Sequence, residues 1–269
     1  MATDGDQILE RSHGNGAEGP RVALADIVAL LDADDYLLPD RFKPIFARHG
    51  WDMIADNIVF VPEDRQTSMT HEDVERPVVM EIEVINQAAF LLGNISEANG
   101  HRGEMGFLKP VMSRAFLVRH GLRYDSRMRL GEDFRLYFEM LLAGARFEVL
   151  PSVGYVARVR QNSLSGRHSA TDLRNLLVAS TELAGRIEDD AILYPAMAQY
   201  LDALRRRYLL HDFLEVKRNF GLSRAARRAF SPPRNALPIA SGVFRDKWIS
   251  LLGQSEHPVP PKRYLFPIR

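Results

Sequence analysis

The chain contains no cysteine, which removes disulfides, thiolate zinc sites and cysteine nucleophiles together. Long apolar runs are missing too. Stretches such as Ile27-Val28-Ala29-Leu30-Leu31 reach about six residues, far short of the ~20 that a membrane helix needs. The polar start around Asp4, Gly5 and Asp6 lacks the apolar core of a signal peptide. Net charge is absent as well: 35 basic residues cancel 35 acidic ones, so bulk charge makes no case for nucleic acid. A cytoplasmic protein is expected. What is present suffices for a core, since 46% of the 269 residues are apolar and 26% are charged. Wholesale disorder is excluded, and at roughly 150 residues per domain the length fits one or two domains.

The charge is unevenly spread. From Leu201 onward fourteen Lys/Arg face five Asp/Glu, whereas the first 200 residues carry 21 basic against 30 acidic. An acidic front and a basic back predict two functional surfaces, or attraction between the two parts.

Residues 1–20, rich in Gly, Asp, Asn and Ser, are expected to be loose. The run Ile27–Leu31 predicts a strand buried on both faces in a parallel sheet. Pro39 then introduces a short helix over Arg41–Phe46. Further strands are expected at Met53–Val61 and, more weakly, at Phe107–Met112, with a long polar loop over Pro62–Arg76. Arg114–His120 predicts a short helix stopped by Gly121. Phe134, Phe138 and Leu141 stripe one face of a helix over Glu132–Ala143 that Gly144 ends. Two short strands, Phe147–Leu150 and Tyr155–Val159, flank Pro151. Behind Asp172 come long helices, marked by Leu173, Leu176, Leu177 and by Leu201, Leu204, Tyr208. Ser231-Pro232-Pro233 breaks them, and the tail is expected to be weakly structured apart from Phe244–Leu252. The expected organisation is a loose segment (1–20), an α/β domain (21–168), a helical extension (169–230) and a weakly structured basic tail (231–269).

The first strand stops at Asp32-Ala33-Asp34-Asp35, which sets carboxylates at the carboxyl edge of a sheet, where open α/β folds bind ligands. Side chains at i and i+2 of an extended segment point the same way, so Asp32 and Asp34 can converge and a hard divalent cation would relieve their repulsion. A dehalogenase-type phosphatase wants a small residue or Thr after its Asp-x-Asp, and here Asp35-Tyr36 follow. An EF-hand fails, because Tyr36 and Leu37 occupy the places of a ligand and a glycine. A solvated turn, or a helix N-cap supplied by Asp35 or Asp40, stays open.

Together with several motifs further along the chain, this segment resembles the family 2 glycosyltransferases, inverting nucleotide-sugar enzymes of the GT-A fold. The resemblance lies in Val28–Asp35 and Pro39-Asp40-Arg41, in Gly121-Leu122-Arg123-Tyr124-Asp125, in Leu130–Leu136, and in Tyr155 through Arg158 to Ser163-x-Ser165. Gly106-Phe107-Leu108-Lys109-Pro110 is similar to the bacterial succinoglycan-type exopolysaccharide transferases. The resemblance implies a GT-A-like sheet flanked by helices, with a C-terminal helical extension. It also implies transfer of a hexose from a nucleotide-sugar donor to a lipid-linked oligosaccharide acceptor in exopolysaccharide biosynthesis, with Mg²⁺ or Mn²⁺.

By that resemblance Asp34 is the principal metal ligand, Asp35 supports it, and Asp32 faces the ribose or the metal. The ion neutralises charge developing on the departing nucleoside diphosphate, while the sugar passes through an oxocarbenium-like transition state. The Glu132-Asp133 pair matches the family's acidic dyad, with Asp133 as the base that takes the acceptor hydroxyl's proton. A helix start favours its ionised form, although a capping pair that only stabilises the helix stays open. Arg158 matches a position near the donor phosphates, which a guanidinium grips bidentately, and Arg160 stands where relatives often carry His. An ordinary surface role for Arg158 stays open. His71, His101 and His168 show no metal-ligand spacing, and Trp51 and Trp248 are expected to pack.

One departure matters. Far more chain ordinarily precedes the Asp-x-Asp in this family than the 31 residues found here, so the first βα units and the nucleobase pocket are expected to be missing. A bare edge strand is expected in their place. A binding or assembly subunit without turnover is therefore the second functional expectation. The basic helical face (Arg205, Arg206, Arg207, Lys217, Arg218, Arg224, Arg227, Arg228) is expected either to meet anionic lipid on the inner face of the cell membrane or to be simply solvated. RNA binding would want more interleaved aromatics than Tyr208, Phe213 and Phe220.

Overall fold

A computed structural model describes residues 26–62, 74, 81–95, 105–159, 168–251 and 262–266, the side chains of Arg234, Val243 and residues 245–251 excepted. The chain divides into two compact units, residues 1–161 with 261–269, and residues 162–260.

In the first unit the elements are β1 (Ile27–Ala29), β2 (Tyr36–Leu37), α1 (Phe42–Phe46), β3 (Met53–Pro62), β4 (Glu83–Ile85), α2 (Gln87–Leu92), β5 (Val111–Ser113), α3 (Arg114–Arg119), α4 (Glu132–Leu142), β6 (Phe147–Val159) and β7 (Arg263–Tyr264). The strands form one mixed sheet in the order β1-β5-β3-β6-β2, with β4 added to β6 and β7 to β3. Among the described residues only β3 and β6 pair in parallel. Helices accompany the sheet, so the α/β class expected from the sequence holds.

Strand β3 is buried from Met53 to Val61, because the sheet continues on both sides of it and both of its faces are covered. Ile54 packs with Ile45, Val111 and Leu150, while Val59 and Val61 pack with Leu38, Val153 and Val156. Half-buried Trp51 joins the first of these clusters. The stripe on α4 meets α2 through stacked aromatics: Phe90 lies 5.5 Å from Phe134 and 6.5 Å from Phe138 between ring centroids. Such offset pairs add to the area they bury. Gly131 enters α4 with φ +75°, a left-handed conformation that a side chain would oppose, and so aims the helix start.

Several expectations change. Strand β1 has an antiparallel partner, β5, on one side only among the described residues, and its side chains are half-buried or exposed. A continuous apolar run cannot distinguish a central parallel strand from this position. Where a strand was expected over 107–112, a 3₁₀ turn (Met105–Phe107) comes first and pairing begins at Val111, since Pro110 has no N–H for the ladder. The two strands around Pro151 are one, β6, which bulges there and again at Gly154 as its register against β3 shifts at Asn57.

The second unit is helical: α5 (Ala170–Gly185), α6 (Leu193–Phe220), α7 (Leu222–Ala229) and α8 (Ala236–Leu251). Ser169 and Asp172 form a capping box that starts α5. Leu173, Leu176 and Leu183 on α5, and Met197, Tyr200 and Leu204 on α6, are buried. The expectation of a weakly structured tail is corrected by α8. Pro238 stands in the first turn of that helix, where no N–H partner is required, and so does not break it. Strand β7 adds the chain's last described residues to the first unit.

Candidate active site

The turn after β1 is held from behind by β6. Asp35 N–H donates to the carbonyl of Asp32 at 3.1 Å, closing the turn. The Tyr155 hydroxyl accepts from Asp32 N–H at 3.1 Å and donates to Asp35 Oδ2 at 2.8 Å. Arg158 N–H donates to Asp35 Oδ1 at 2.9 Å. Burial pushes the Asp35 carboxyl above its ordinary range, against the pull of those two hydrogen bonds. Asp35 thus fastens the turn to the sheet. Asp32 points outward with 54% of its side chain exposed, and Asp34 is half-buried.

The start of α4 faces the same place. Asp133 Oδ2 lies 2.8 Å from Lys109 Nζ, and Asp32 Oδ2 lies 3.2 Å from the same nitrogen. Tyr124 OH donates to Asp133 Oδ1 at 2.7 Å. Asp133 uses both oxygens, yet a carboxylate has about four lone-pair sites and keeps some for a proton. Glu132 is half-buried beside it, and burial pushes its carboxyl upward, Asp133 adding to the effect. Burial, then Asp133, also holds the Tyr124 phenol well above its ordinary range, so Tyr124 is a donor at neutral pH.

Beneath lies a buried pair. Arg41 donates through Nε to both oxygens of Asp56 at 3.0 Å and through Nη2 to Asp56 Oδ1 at 2.7 Å. The same Nη2 donates to the Lys109 carbonyl at 2.7 Å, and the guanidinium lies 5.1 Å from the Tyr155 ring centroid. Arg41 therefore braces both the residue under Asp35 and the residue between Asp32 and Asp133.

The structure brings Asp32, Asp133 and Lys109 into contact and places Glu132 beside them. It seats Asp35 against β6, leaves Asp34 in the turn, and sets the Arg158 guanidinium 5.4 Å over the Tyr36 ring. Arg160, His71, His101, the Ser163-x-Ser165 stretch, the Trp248 side chain and residues 1–25 lie outside the described residues. Sequence reasoning gives Lys109, Tyr124, Tyr155 and Arg41 no role, though all four sit within the motifs that carry the family resemblance. The one available signal was Lys109 between Leu108 and Pro110: a lysine in an apolar stretch needs a partner. Among the described residues no group of three or more His, Cys, Asp or Glu is arranged to hold a metal ion.

No protein-family model matches the chain. The succinoglycan biosynthesis protein ExoU of Rhizobium meliloti (strain 1021) is 41% identical over 228 residues, covering 84% of this chain and 66% of that protein. The succinoglycan biosynthesis protein ExoO of the same organism is 26% identical over 247 residues, 88% of this chain and 70% of that protein. The chain thus spans just under two thirds of ExoU. Among solved structures, S. aureus TarS 1-349 in complex with UDP gives a TM-score of 0.43 at 16% identity, over 73% of this chain and 50% of that one. The same protein in complex with UDP-GlcNAc gives 0.42 at 13% identity, over 78% and 69%. With 41% of aligned positions identical to ExoU across 84% of this chain, the chain is similar to the succinoglycan biosynthesis proteins over the part that it shares with them.

Proposed function

We propose that the chain acts in an inverting glycosyltransferase that moves a hexose from a nucleotide-sugar donor to a growing lipid-linked oligosaccharide in exopolysaccharide biosynthesis. The observation that carries this is the meeting of Asp32, from the turn after β1, with Asp133, from the start of α4, at one lysine. A strand-end carboxylate suits the donor side, and a helix-start carboxylate suits the base. Asp133 accepts the proton of the attacking hydroxyl while Tyr124 and Lys109 hold it in place. Arg158, beside the same turn, is suited to the donor phosphates.

The donor set fits a divalent cation of one kind. Three protein ligands are not gathered among the described residues, but Mg²⁺ is commonly held by one or two carboxylates together with substrate phosphate oxygens. Asp34 and Asp32 would supply those carboxylates, and Asp35, occupied with β6, would support the turn. Bound Mg²⁺ or Mn²⁺ would neutralise charge on the departing diphosphate.

Calorimetry of the whole chain with UDP-, GDP- and dTDP-hexoses, with and without Mn²⁺, tests the proposal. One donor should bind, and Asp34→Asn should abolish the Mn²⁺-dependent part of the heat. No heat with any donor overturns it in favour of a binding or assembly subunit.

Among the described residues no helix is long and apolar enough to cross a membrane. Peripheral contact with the inner face of the cell membrane belongs to the same proposal. On α6 and α7, Arg205, Arg207, Lys217, Arg218, Arg224 and Arg227 are exposed, Phe220, Leu222 and Phe230 at the helix ends are exposed too, and the Arg224 guanidinium lies 4.9 Å from the Phe220 ring centroid. Arg206 and Arg228 instead pair with Asp202 and Asp212 at 2.8 and 2.6 Å. Basic and apolar side chains side by side suit an anionic lipid surface. The chain should sediment with phosphatidylglycerol vesicles and not with phosphatidylcholine vesicles, and Phe220→Ser with Arg224→Ser should release it. Equal sedimentation with both vesicle types would rule out this contact.

A further inference from the structure

Lys109 is buried, with 8% of its surface exposed, in a segment between a 3₁₀ turn and β5. Lysines are rarely buried to this degree unless paired. Its ammonium touches two carboxylates from different elements, Asp133 at 2.8 Å and Asp32 at 3.2 Å, and its carbonyl is gripped by Arg41. Arg41 is itself fixed by Asp56 of β3, so the lysine backbone is anchored to the middle of the sheet. Burial works against a charge on Lys109, but Asp133 and Asp32 more than offset it and hold the ammonium above the ordinary lysine range. A fixed positive charge therefore stands between the donor-side and acceptor-side carboxylates. Without it two like charges would face each other in a partly buried site and repel.

We infer that Lys109 is a positioning residue of the transfer reaction: its ammonium holds Asp32 and Asp133 together at a fixed spacing. The role rests on the glycosyltransferase proposal, yet part of it is measurable without substrate. Lys109→Met removes the charge at similar volume, and Lys109→Arg retains it.

In the first arm, crystal structures of the parent, Lys109→Met and Lys109→Arg are compared. The Asp32 and Asp133 carboxylates should lie further apart in Lys109→Met than in the parent, with Lys109→Arg keeping the parent spacing. A spacing that Lys109→Met leaves unchanged overturns the inference. In the second arm, turnover of whichever UDP-, GDP- or dTDP-hexose binds is followed against donor concentration. Lys109→Met should lower kcat on the order of 10²-fold, the scale of a misplaced reacting group, with donor KM little changed. Lys109→Arg should recover most of kcat. A fall in kcat matched by a rise in donor KM, or no recovery in Lys109→Arg, marks a purely structural lysine and overturns the inference. If the parent turns over no donor, the glycosyltransferase proposal fails and the first arm alone decides the spacing role. Should Lys109→Met fail to fold, Lys109→Gln, which keeps a hydrogen-bond donor without the charge, serves both arms.

Discussion

Asp133→Asn is expected to lower turnover by roughly 10²- to 10⁴-fold, the contribution usual for a positioned general base, while donor binding stays nearly unchanged. An acceptor hydroxyl attacks an anomeric carbon only as it sheds its proton, and an amide cannot take that proton. The substitution is mild in other respects. Asparagine keeps the shape of the side chain, its carbonyl can still accept from Tyr124, and Lys109 retains Asp32 as a partner. Loss of a negative charge in the first turn of α4 costs about 0.3–1 kcal/mol through the helix dipole, so the variant should fold. Glu132→Gln is the internal comparison. Glu132 feels the Lys109 charge only as one of several influences, whereas Asp133 touches the ammonium at 2.8 Å, and the loss of Glu132 should cost less. Steady-state kinetics with calorimetric donor binding and a thermal melt check the pair. Full turnover in Asp133→Asn would show that the base lies elsewhere.

The parts of the fold legible in sequence are those in which a local pattern and a local stop coincide. Helix α4 announces itself by Phe134, Phe138 and Leu141 followed by Gly144, and β3 by two apolar stretches, Met53–Ala55 and Ile58–Val61, with turn residues before them. Helix α3 is bounded by Ser113, whose hydroxyl accepts from Phe116 N–H at 3.2 Å, and by Gly121. What stays hidden depends on partners distant in the chain. The partners that set β1 at one end of the described sheet leave no trace in Ile27–Leu31 itself, and β2, β4 and β7 are two- or three-residue strands defined only by what they pair with. The site divides in the same way. Asp32 and Asp133 stand in recognisable motifs, whereas Lys109, Tyr155 and Arg41 matter through contacts spanning many residues, which no period of 2 or 3.6 records. Asp35 illustrates the other limit: the turn motif marks it as a ligand-side acid, but in space both its oxygens serve β6.

Asp56→Ala should destabilise the first unit by about 3–5 kcal/mol, the range for removing one partner of a buried ion pair. Arg41 and Asp56 each expose 1% of their side chains, so the guanidinium left behind would keep its charge with little water to solvate it. Arg41 is already at its limit: Nη1 finds no hydrogen-bond partner among the described residues, and the rings of Tyr155 and Phe42 take up the rest of its surroundings. The pair also has a steric condition. Gly154 sits in the β6 bulge, and a Cβ there would run into the Asp56 carboxylate and the Arg41 stem. Gly154→Ala should therefore destabilise as well, and for the same reason. The double variant Arg41→Met with Asp56→Leu separates stability from function. Replacing both charges by apolar groups of similar volume is often close to neutral, so urea unfolding should return nearly to the parent value. Turnover should not return with it, because the Lys109 carbonyl has lost its anchor and Tyr155 its stacked cation. An Asp56→Ala loss below about 1 kcal/mol would mean that the buried pair is not anchoring the site. A fully active double variant would mean that Lys109 and Tyr155 hold their places without it.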